Sequence, residues 1–295
     1  MTAVRLDPAS VRRSLRDAGL AARKSLSQNF LADVDVLEAI LDEANPAPGR
    51  RILEISPGLG ILTAGLLEVG AAVTAVELDR GLAARLRVTF GAAITAADED
   101  PATPGGLRLI EGDALDEELT ALLAPPYDVV ANLPYHVTSP VLHRLLGRGP
   151  RPSRSVLMLQ REVAERIAAR PGDMSYLSVF VRYHASVRIA RLVPPEAFEP
   201  PPAVWSAVVV LETADGDGAT LGLDPSDEDD LWRIVQAGFR ERRKKLRNVL
   251  ARQLPMEPRR LAAALEAAAI DPNRRPQTLS VAEWVALRTA LGAAP

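Results

Sequence analysis

Arg51-Ile52-Leu53-Glu54-Ile55-Ser56-Pro57-Gly58-Leu59-Gly60-Ile61-Leu62-Thr63 reads as an apolar strand, a turn of small residues and the opening of a helix that runs to about Gly70. A turn of this composition lets backbone approach a ligand at the start of a helix. Downstream, a strand over 72–78 ends in Glu77 and Asp79. Glu77 falls where a doubly wound fold places the acid that accepts from ribose hydroxyls. A dinucleotide fingerprint would carry a further Gly where Thr63 stands, which weakens a nicotinamide reading. A third strand, 106–111, delivers Gly112-Asp113-Ala114. Asp113 is placed either to accept from an adenine amine or to cap a helix over 115–123, and taken alone the cap is the better reading.

Further on, Val130-Ala131-Asn132-Leu133-Pro134-Tyr135-His136-Val137-Thr138-Ser139-Pro140 follows a short buried strand over 127–131. Pro134 ends it by removing a ladder donor and holding Leu133 extended. Asn132 and Tyr135 are thereby set at the strand's carboxyl end, where open α/β sheets bind ligands. An amide and an aromatic ring there suit a planar, amine-bearing base. These residues alone fit a structural Pro turn equally well.

The remaining pattern predicts strands at 154–160, 186–193 and 204–211, seven in all, alternating mostly with helices: a doubly wound α/β sheet. Ahead of it, Ser10 to Leu20 reads as a basic helix, and Asp33 caps a helix from Val34 to Ala44. The crossover 194–202 is too rich in Pro for a continuous helix and is expected as a loop carrying Phe198 to the rim of the pocket. The sheet domain spans 1–213, a Gly/Asp-rich linker 214–226, and amphipathic helices at about 227–240, 242–253, 258–269 and 280–291 form a small domain over 227–295.

A chain of 295 residues, 47% hydrophobic and 25% charged, suffices for both units. Without a membrane-length apolar run or a signal-peptide core it is expected in the cytoplasm, as a monomer. The absence of Cys removes disulfides and thiolate metal sites, and His136, His143 and His184 lack ligand spacing, so no metal is expected. The net charge of −3 hides segregation. Residues 1–26 hold six basic and two acidic side chains and residues 240–260 nine and two, whereas 215–230 hold seven acids and no base. Arg144, Arg148, Arg151 and Arg154 add a further cluster. One such run is ordinarily a solvated face; several around one pocket suggest a surface that follows phosphates.

These pieces together resemble the ribosomal RNA adenine dimethyltransferases, and within them the small-subunit (16S) branch. The resemblance covers nearly the whole chain. It rests on Arg23-Lys24-Ser25-Leu26-Ser27-Gln28-Asn29-Phe30-Leu31, the turn at Glu54 to Gly60, Val76-Glu77-Leu78-Asp79, Glu111-Gly112-Asp113-Ala114 and Asn132-Leu133-Pro134-Tyr135. It continues through Phe198-Glu199-Pro200-Pro201-Pro202-Ala203-Val204-Trp205-Ser206, Phe239 to Leu250, and Arg275-Pro276-Gln277-Thr278-Leu279-Ser280. Three positions depart from the family pattern, which usually has Gly at Ser27 and Ser56 and Lys at Ala203. Ser27 leans toward the large-subunit (23S) macrolide-resistance branch, whereas Leu59 and the basic segment at 242–247 favour the small-subunit branch.

The resemblance implies the seven-stranded methyltransferase variant of the fold, S-adenosylmethionine as methyl donor, and dimethylation of adenines in small-subunit ribosomal RNA during subunit assembly. It assigns Asn29 and Leu31 to a lid over the methionine end of the donor and Ser56 and Gly58 to the turn beneath it. Glu77 takes the ribose hydroxyls and Asp113 the adenine amine. Asn132 and the Leu133 carbonyl accept from the target amine, with Tyr135 and Phe198 stacking on its two faces. Glu54 either braces the turn or approaches the donor's amino-acid end. Arg242, Arg243, Lys244, Lys245 and Arg247, read as part of a short helix, would hold RNA phosphates. Pro57 biases Ser56 toward an extended backbone, so a Ser is expected to be tolerated there without strain. Two alternatives remain, a macrolide-resistance enzyme acting on large-subunit RNA and a ribosome-assembly or nucleic-acid-binding factor with weak catalysis.

Overall fold

Helix α1 (Pro8–Asp17) starts where the Asp7 carboxylate accepts from the Ser10 N–H at 2.8 Å. It stops short of Leu20 because Gly19 turns left-handed (φ 66°) and the Leu20 N–H bonds back to the Leu15 carbonyl at 2.8 Å. This computed structural model describes residues 6–23, 26, 28–94, 103–116, 118–213, 223 and 225–293. Lys24, Ser25 and Ser27 lie outside them, as does the expected linker 214–226 except for 223, 225 and 226.

Strand β1 (Phe30–Leu31) is followed by α2 (Val34–Ala44), capped as expected by Asp33, which accepts from the Val36 N–H at 3.1 Å. Five strands then pair in parallel: β2 (Arg51–Ile55), β3 (Ala72–Glu77), β4 (Leu107–Glu111), β5 (Asp128–Asn132) and β6 (Arg154–Gln160). Helices α3 (Ile61–Glu68), α4 (Arg80–Thr89) and α5 (Thr138–Leu146) fall between them. Every residue of β3 is buried, as a parallel strand covered on both faces requires.

After α6 (Arg161–Ile167) and α7 (Tyr176–His184) come β7 (Ser186–Val193), β8 (Phe198–Glu199) and β9 (Ser206–Glu212). The seven-stranded sheet runs β4-β3-β2-β5-β6-β9-β7, while β8 pairs antiparallel with β1, Leu31 opposite Phe198. Chain order reverses between β2 and β5, so the ligand crevice of such a sheet opens at their carboxyl ends.

Among the described residues of 115–123, the expected helix is absent. Leu115 is held in a turn by Asp113, and only a 3-10 turn at Leu119–Ala121 forms.

The described residues of Glu165–Val187 and Glu212–Pro295 pack together as a second compact unit. It contains α7, α8 (Pro225–Phe239), α9 (Leu246–Gln253), α10 (Pro258–Ala267) and α11 (Val281–Ala293). Its core centres on Trp284, which is fully buried against Gly238: a Cβ there would come within 2.5 Å of the indole. Val179 and Tyr183 of α7 share this core with Leu231, Leu246 and Leu261. The helical unit therefore includes a segment that the sequence pattern assigns to 1–213. No periodicity marks it, because its partners lie some distance along the chain.

Candidate active site

At the carboxyl ends of β2 to β5, one cavity is lined by all ten residues expected to bind the donor or the target base: Asn29, Leu31, Ser56, Gly58, Glu77, Asp113, Asn132, Leu133, Tyr135 and Phe198. The turn after β2 forms its floor. Gly58 is left-handed (φ 60°), and a Cβ on it would press against the Phe30 ring at 3.2 Å. Gly60 (φ 78°) then opens α3.

Ser56 does not adopt the extended backbone expected from Pro57. Its φ is +58°, in the left-handed region, while its N–H still bonds the Val76 carbonyl at 2.9 Å. The chain must leave the ladder and reverse within two residues, and this closure overrides the pre-proline bias. A Cβ there costs about 1–2 kcal/mol, and Gly would add about 0.5–1 kcal/mol of unfolded-state entropy. Ser56→Gly is therefore expected to raise stability by up to ~1.5 kcal/mol in a urea melt. A clear loss of stability would contradict the strain at this position.

Glu77 is buried at the end of β3, and its carboxylate accepts from the Gly58 N–H at 2.9 Å and the Asp79 N–H at 2.8 Å. It braces the turn while lining the cavity. Burial pushes its pKa up, against the lowering effect of the Asp79 and Gly58 hydrogen bonds. Asp79 caps α4 through Oδ1, accepting from Gly81 at 2.9 Å and Leu82 at 3.2 Å. Its Oδ2 accepts from Gln28 Nε2 at 3.3 Å and meets Arg23 Nη1 at 3.3 Å, and Gln28 Oε1 accepts from the Arg23 N–H at 2.8 Å. Asp79 and Gln28 thus tie the segment before β1 to the site. Both stand in the quoted motifs, but nothing in their spacing signalled this pairing.

Glu54, also on the cavity wall, accepts from Thr63 Oγ1 at 2.7 Å. That resolves one of its two readings, since it braces β2 against α3. Burial pushes its pKa from the ordinary 4.5 up to about 8; the Thr63 hydrogen bond lowers it and the charge of Glu77 raises it. The folded protein thus holds this proton more tightly than the unfolded chain. The resulting stability is fully present below pH 4.5 and is lost as the pH rises through about 8. Glu54→Gln keeps an acceptor for Thr63 and carries no charge. Its stability is expected to fall less than the parent's between about pH 5 and pH 8, and parallel profiles in denaturant melts would contradict the assignment.

On the opposite wall, Asn132 ends β5 level with Met158 of β6, and its Nδ2 donates to the Asn29 carbonyl at 3.3 Å. This contact leaves its Oδ1 as the acceptor. The Leu133 N–H continues the ladder to the Met158 carbonyl at 3.2 Å. Tyr135 sits in the 3-10 turn Tyr135–Val137, half-buried, with its hydroxyl 2.8 Å from Ser206 Oγ. Burial pushes its pKa up, partly offset by the Ser206 hydrogen bond. Phe198 is not on an exposed rim: it is 2% exposed, packed into the main core and pinned through β8 to β1. Asp113 lines the cavity while accepting from the Leu115 N–H at 2.8 Å, so it also serves as the local turn cap.

The five basic residues Arg242, Arg243, Lys244, Lys245 and Arg247 are all exposed. The first four occupy the turn between α8 and α9, and not a helix over 242–253 as expected; α9 starts only at Leu246. Four adjacent like charges repel in a helix, and the turn spreads them. Asp227 and Asp230 are engaged by Arg288, and Asp230 also by Arg233 at 2.9 Å. Of the other arginines, Arg151 turns inward to the carbonyls of Leu146 at 2.7 Å and Gly147 at 3.0 Å, and Arg154 reaches Glu43 at 3.5 Å. Arg12 pairs with Glu199 at 2.5 Å.

This chain matches the family described as ribosomal RNA adenine dimethylase over residues 19–287. It is 45% identical to "Ribosomal RNA small subunit methyltransferase A" of Anaeromyxobacter sp. (strain K), covering 92% of this chain and 94% of that protein. It is 37% identical to the protein of the same name from Moorella thermoacetica, covering 94% and 95%. Among solved structures, it resembles a dimethyladenosine transferase from Plasmodium falciparum with a TM-score of 0.71 and 23% identity, covering 88% of this chain and 95% of that one. It also resembles the 23S rRNA methyltransferase ErmE with a TM-score of 0.65 and 26% identity, covering 90% and 100%. With the family matched across most of its length and the cavity built from the quoted motifs, the chain belongs to the ribosomal RNA adenine dimethylases.

Proposed function

We propose that this protein transfers methyl groups from S-adenosylmethionine to the exocyclic amine of adenines in small-subunit (16S) ribosomal RNA, giving dimethyladenosine during subunit assembly. The observation that carries this is the pairing of the Gly58–Glu77 cradle with the Asn132 amide across one cavity at the sheet's switch point. The cavity suits the donor. Gly58 holds the left-handed turn without a Cβ that would press on Phe30, Glu77 can still accept from a ribose, and Asp113 can accept from an adenine amine. Asn29 and Leu31 would cover the methionine end, with Ser56 and Gly58 beneath it. S-adenosylmethionine supplies an electrophilic methyl on a sulfonium.

The chain's own residues must make the amine reactive. An adenine amine is a weak nucleophile because its lone pair is delocalised into the ring. Asn132 Oδ1 and the Leu133 carbonyl accept its hydrogens, localise that pair and draw the nitrogen toward tetrahedral geometry, so positioning and fixed dipoles provide most of the acceleration. Tyr135, steadied by Ser206, and Phe198, steadied by the β1–β8 pair, hold the extruded base between them.

The basic turn at 242–245, with Arg247, would grip RNA through phosphates, since no aromatic interrupts it. Reversing several of these charges is expected to weaken different RNA sequences about equally and to flatten the salt dependence by roughly one counterion per lost contact. An unchanged salt slope would move the RNA path elsewhere. Higher identity to the small-subunit enzymes than to ErmE supports the 16S target over the macrolide-resistance reading.

The backbone of Ser56 favours a second reading, an assembly factor with weak catalysis. Calorimetry with S-adenosylmethionine separates the two. Mapping of modified adenines in both ribosomal RNAs after gene deletion tests the target: loss of dimethylation confined to 16S RNA is expected, and unchanged 16S modification would refute it.

A further inference from the structure

Outside the cavity, the carboxyl edge of the sheet carries a large apolar side chain in water. Trp205 keeps 46% of its surface exposed, and Val204 beside it 44%. The chain's other two tryptophans are packed: Trp284 is fully buried, and Trp232 lies half-buried against the rings of Phe180 and Tyr183.

The position of Trp205 follows from two hydrogen bonds. Its carbonyl accepts from the N–H of Arg161 at 2.9 Å, and Arg161 directly follows β6, whose Met158 stands level with Asn132. Its neighbour Ser206 bonds the Tyr135 hydroxyl at 2.8 Å. The backbone that carries the indole is therefore anchored at the same end of the sheet as the cavity, one residue from the contact that steadies the Tyr135 ring. Pro200, Pro201 and Pro202 precede it, restricting the backbone that presents it. Isolated exposed apolar residues are common on proteins. Here the indole is backed by a fixed backbone beside a cavity for an extruded base.

We propose that Trp205 is a stacking platform for an unpaired nucleobase of the RNA strand that flanks the target adenine, holding the strand at the mouth of the cavity. This rests on the reading of that cavity as an RNA adenine site. An extruded nucleotide leaves its neighbours partly unstacked, and an exposed ring at the mouth replaces the lost stacking. Stacking is sequence-tolerant and uncharged, so this contact secures the strand without reading it and survives added salt.

The test uses the full chain and a short single-stranded RNA with unpaired adenines. Trp205→Ala is expected to weaken RNA binding about 10-fold with an unchanged salt slope, and Trp205→Phe to restore part of it. S-adenosylmethionine affinity, measured by calorimetry, and thermal stability should stay as in the parent. RNA should quench the parent's tryptophan emission and shield it from acrylamide, and both effects should vanish in Trp205→Phe. If the parent bound RNA while Trp205→Ala bound it equally well and emission did not respond, the proposal would fail alone and the face would fall to a protein partner. If the parent bound no RNA at all, the adenine reading would fall with it.

Discussion

Asn132→Ala is expected to lower turnover by at least ~10²-fold while the fold and S-adenosylmethionine affinity stay close to those of the parent. The amide stands at the end of β5 with its Nδ2 committed to the Asn29 carbonyl at 3.3 Å, which leaves Oδ1 to accept from the target amine. That acceptor matters most when the nitrogen becomes tetrahedral, so its loss belongs to the transition state more than to binding. Asn29 is half-buried, which limits the cost in stability of losing this one bond. Single-turnover methylation, calorimetry and a thermal melt on one preparation separate these effects. Near-normal methylation by the purified variant would remove Asn132 from the chemistry, and a large loss of donor affinity would make it chiefly a lid residue.

Glu77→Ala is expected to weaken S-adenosylmethionine by roughly 2–4 kcal/mol, more than the loss of a ligand hydrogen bond alone. The carboxylate both faces the cavity and accepts from the N–H groups of Gly58 and Asp79, so its removal takes away a ribose acceptor and strands two donors beneath the donor site. Glu77→Gln divides the two contributions. One amide oxygen can keep either backbone N–H but not both, and the charge that favours the ribose hydroxyls is gone. Gln should therefore fall between Glu and Ala in donor affinity, with a smaller loss of thermal stability than Ala. If calorimetry gave all three the same affinity, the acid would be a brace only, and the ribose would have to be held elsewhere on the cavity wall.

The fold itself was legible because its signals are local and repeated. Apolar runs ending in small residues or acids give parallel strands, and the predicted spans differ from the observed ones by a residue or two, as at 51–56 against Arg51–Ile55. Asp33 announced α2 because a cap and its helix lie within four residues. The cavity residues were legible because each sits directly after a strand, where the topology of a doubly wound sheet gathers them without further instruction.

What local pattern could not determine depends on closure between distant segments. Ser56 is left-handed because β2 must stay bonded to β3 while the turn reverses, a constraint that Pro57 does not carry. Phe198 is buried because β8 pairs with β1, more than 160 residues earlier in the chain. Shorter separations along the chain, 51 residues from Gln28 to Asp79, hide the tie of Asp79 to Gln28 and Arg23 and the membership of α7 in the helical core. The sequence by itself determined which chemistry stands at the strand ends, since strand, turn and cap are written within a few residues. Which of those groups also brace one another, as Glu77 braces Gly58 and Glu54 meets Thr63, was decided by tertiary packing, because a buried carboxylate must find its donors wherever the folded chain brings them.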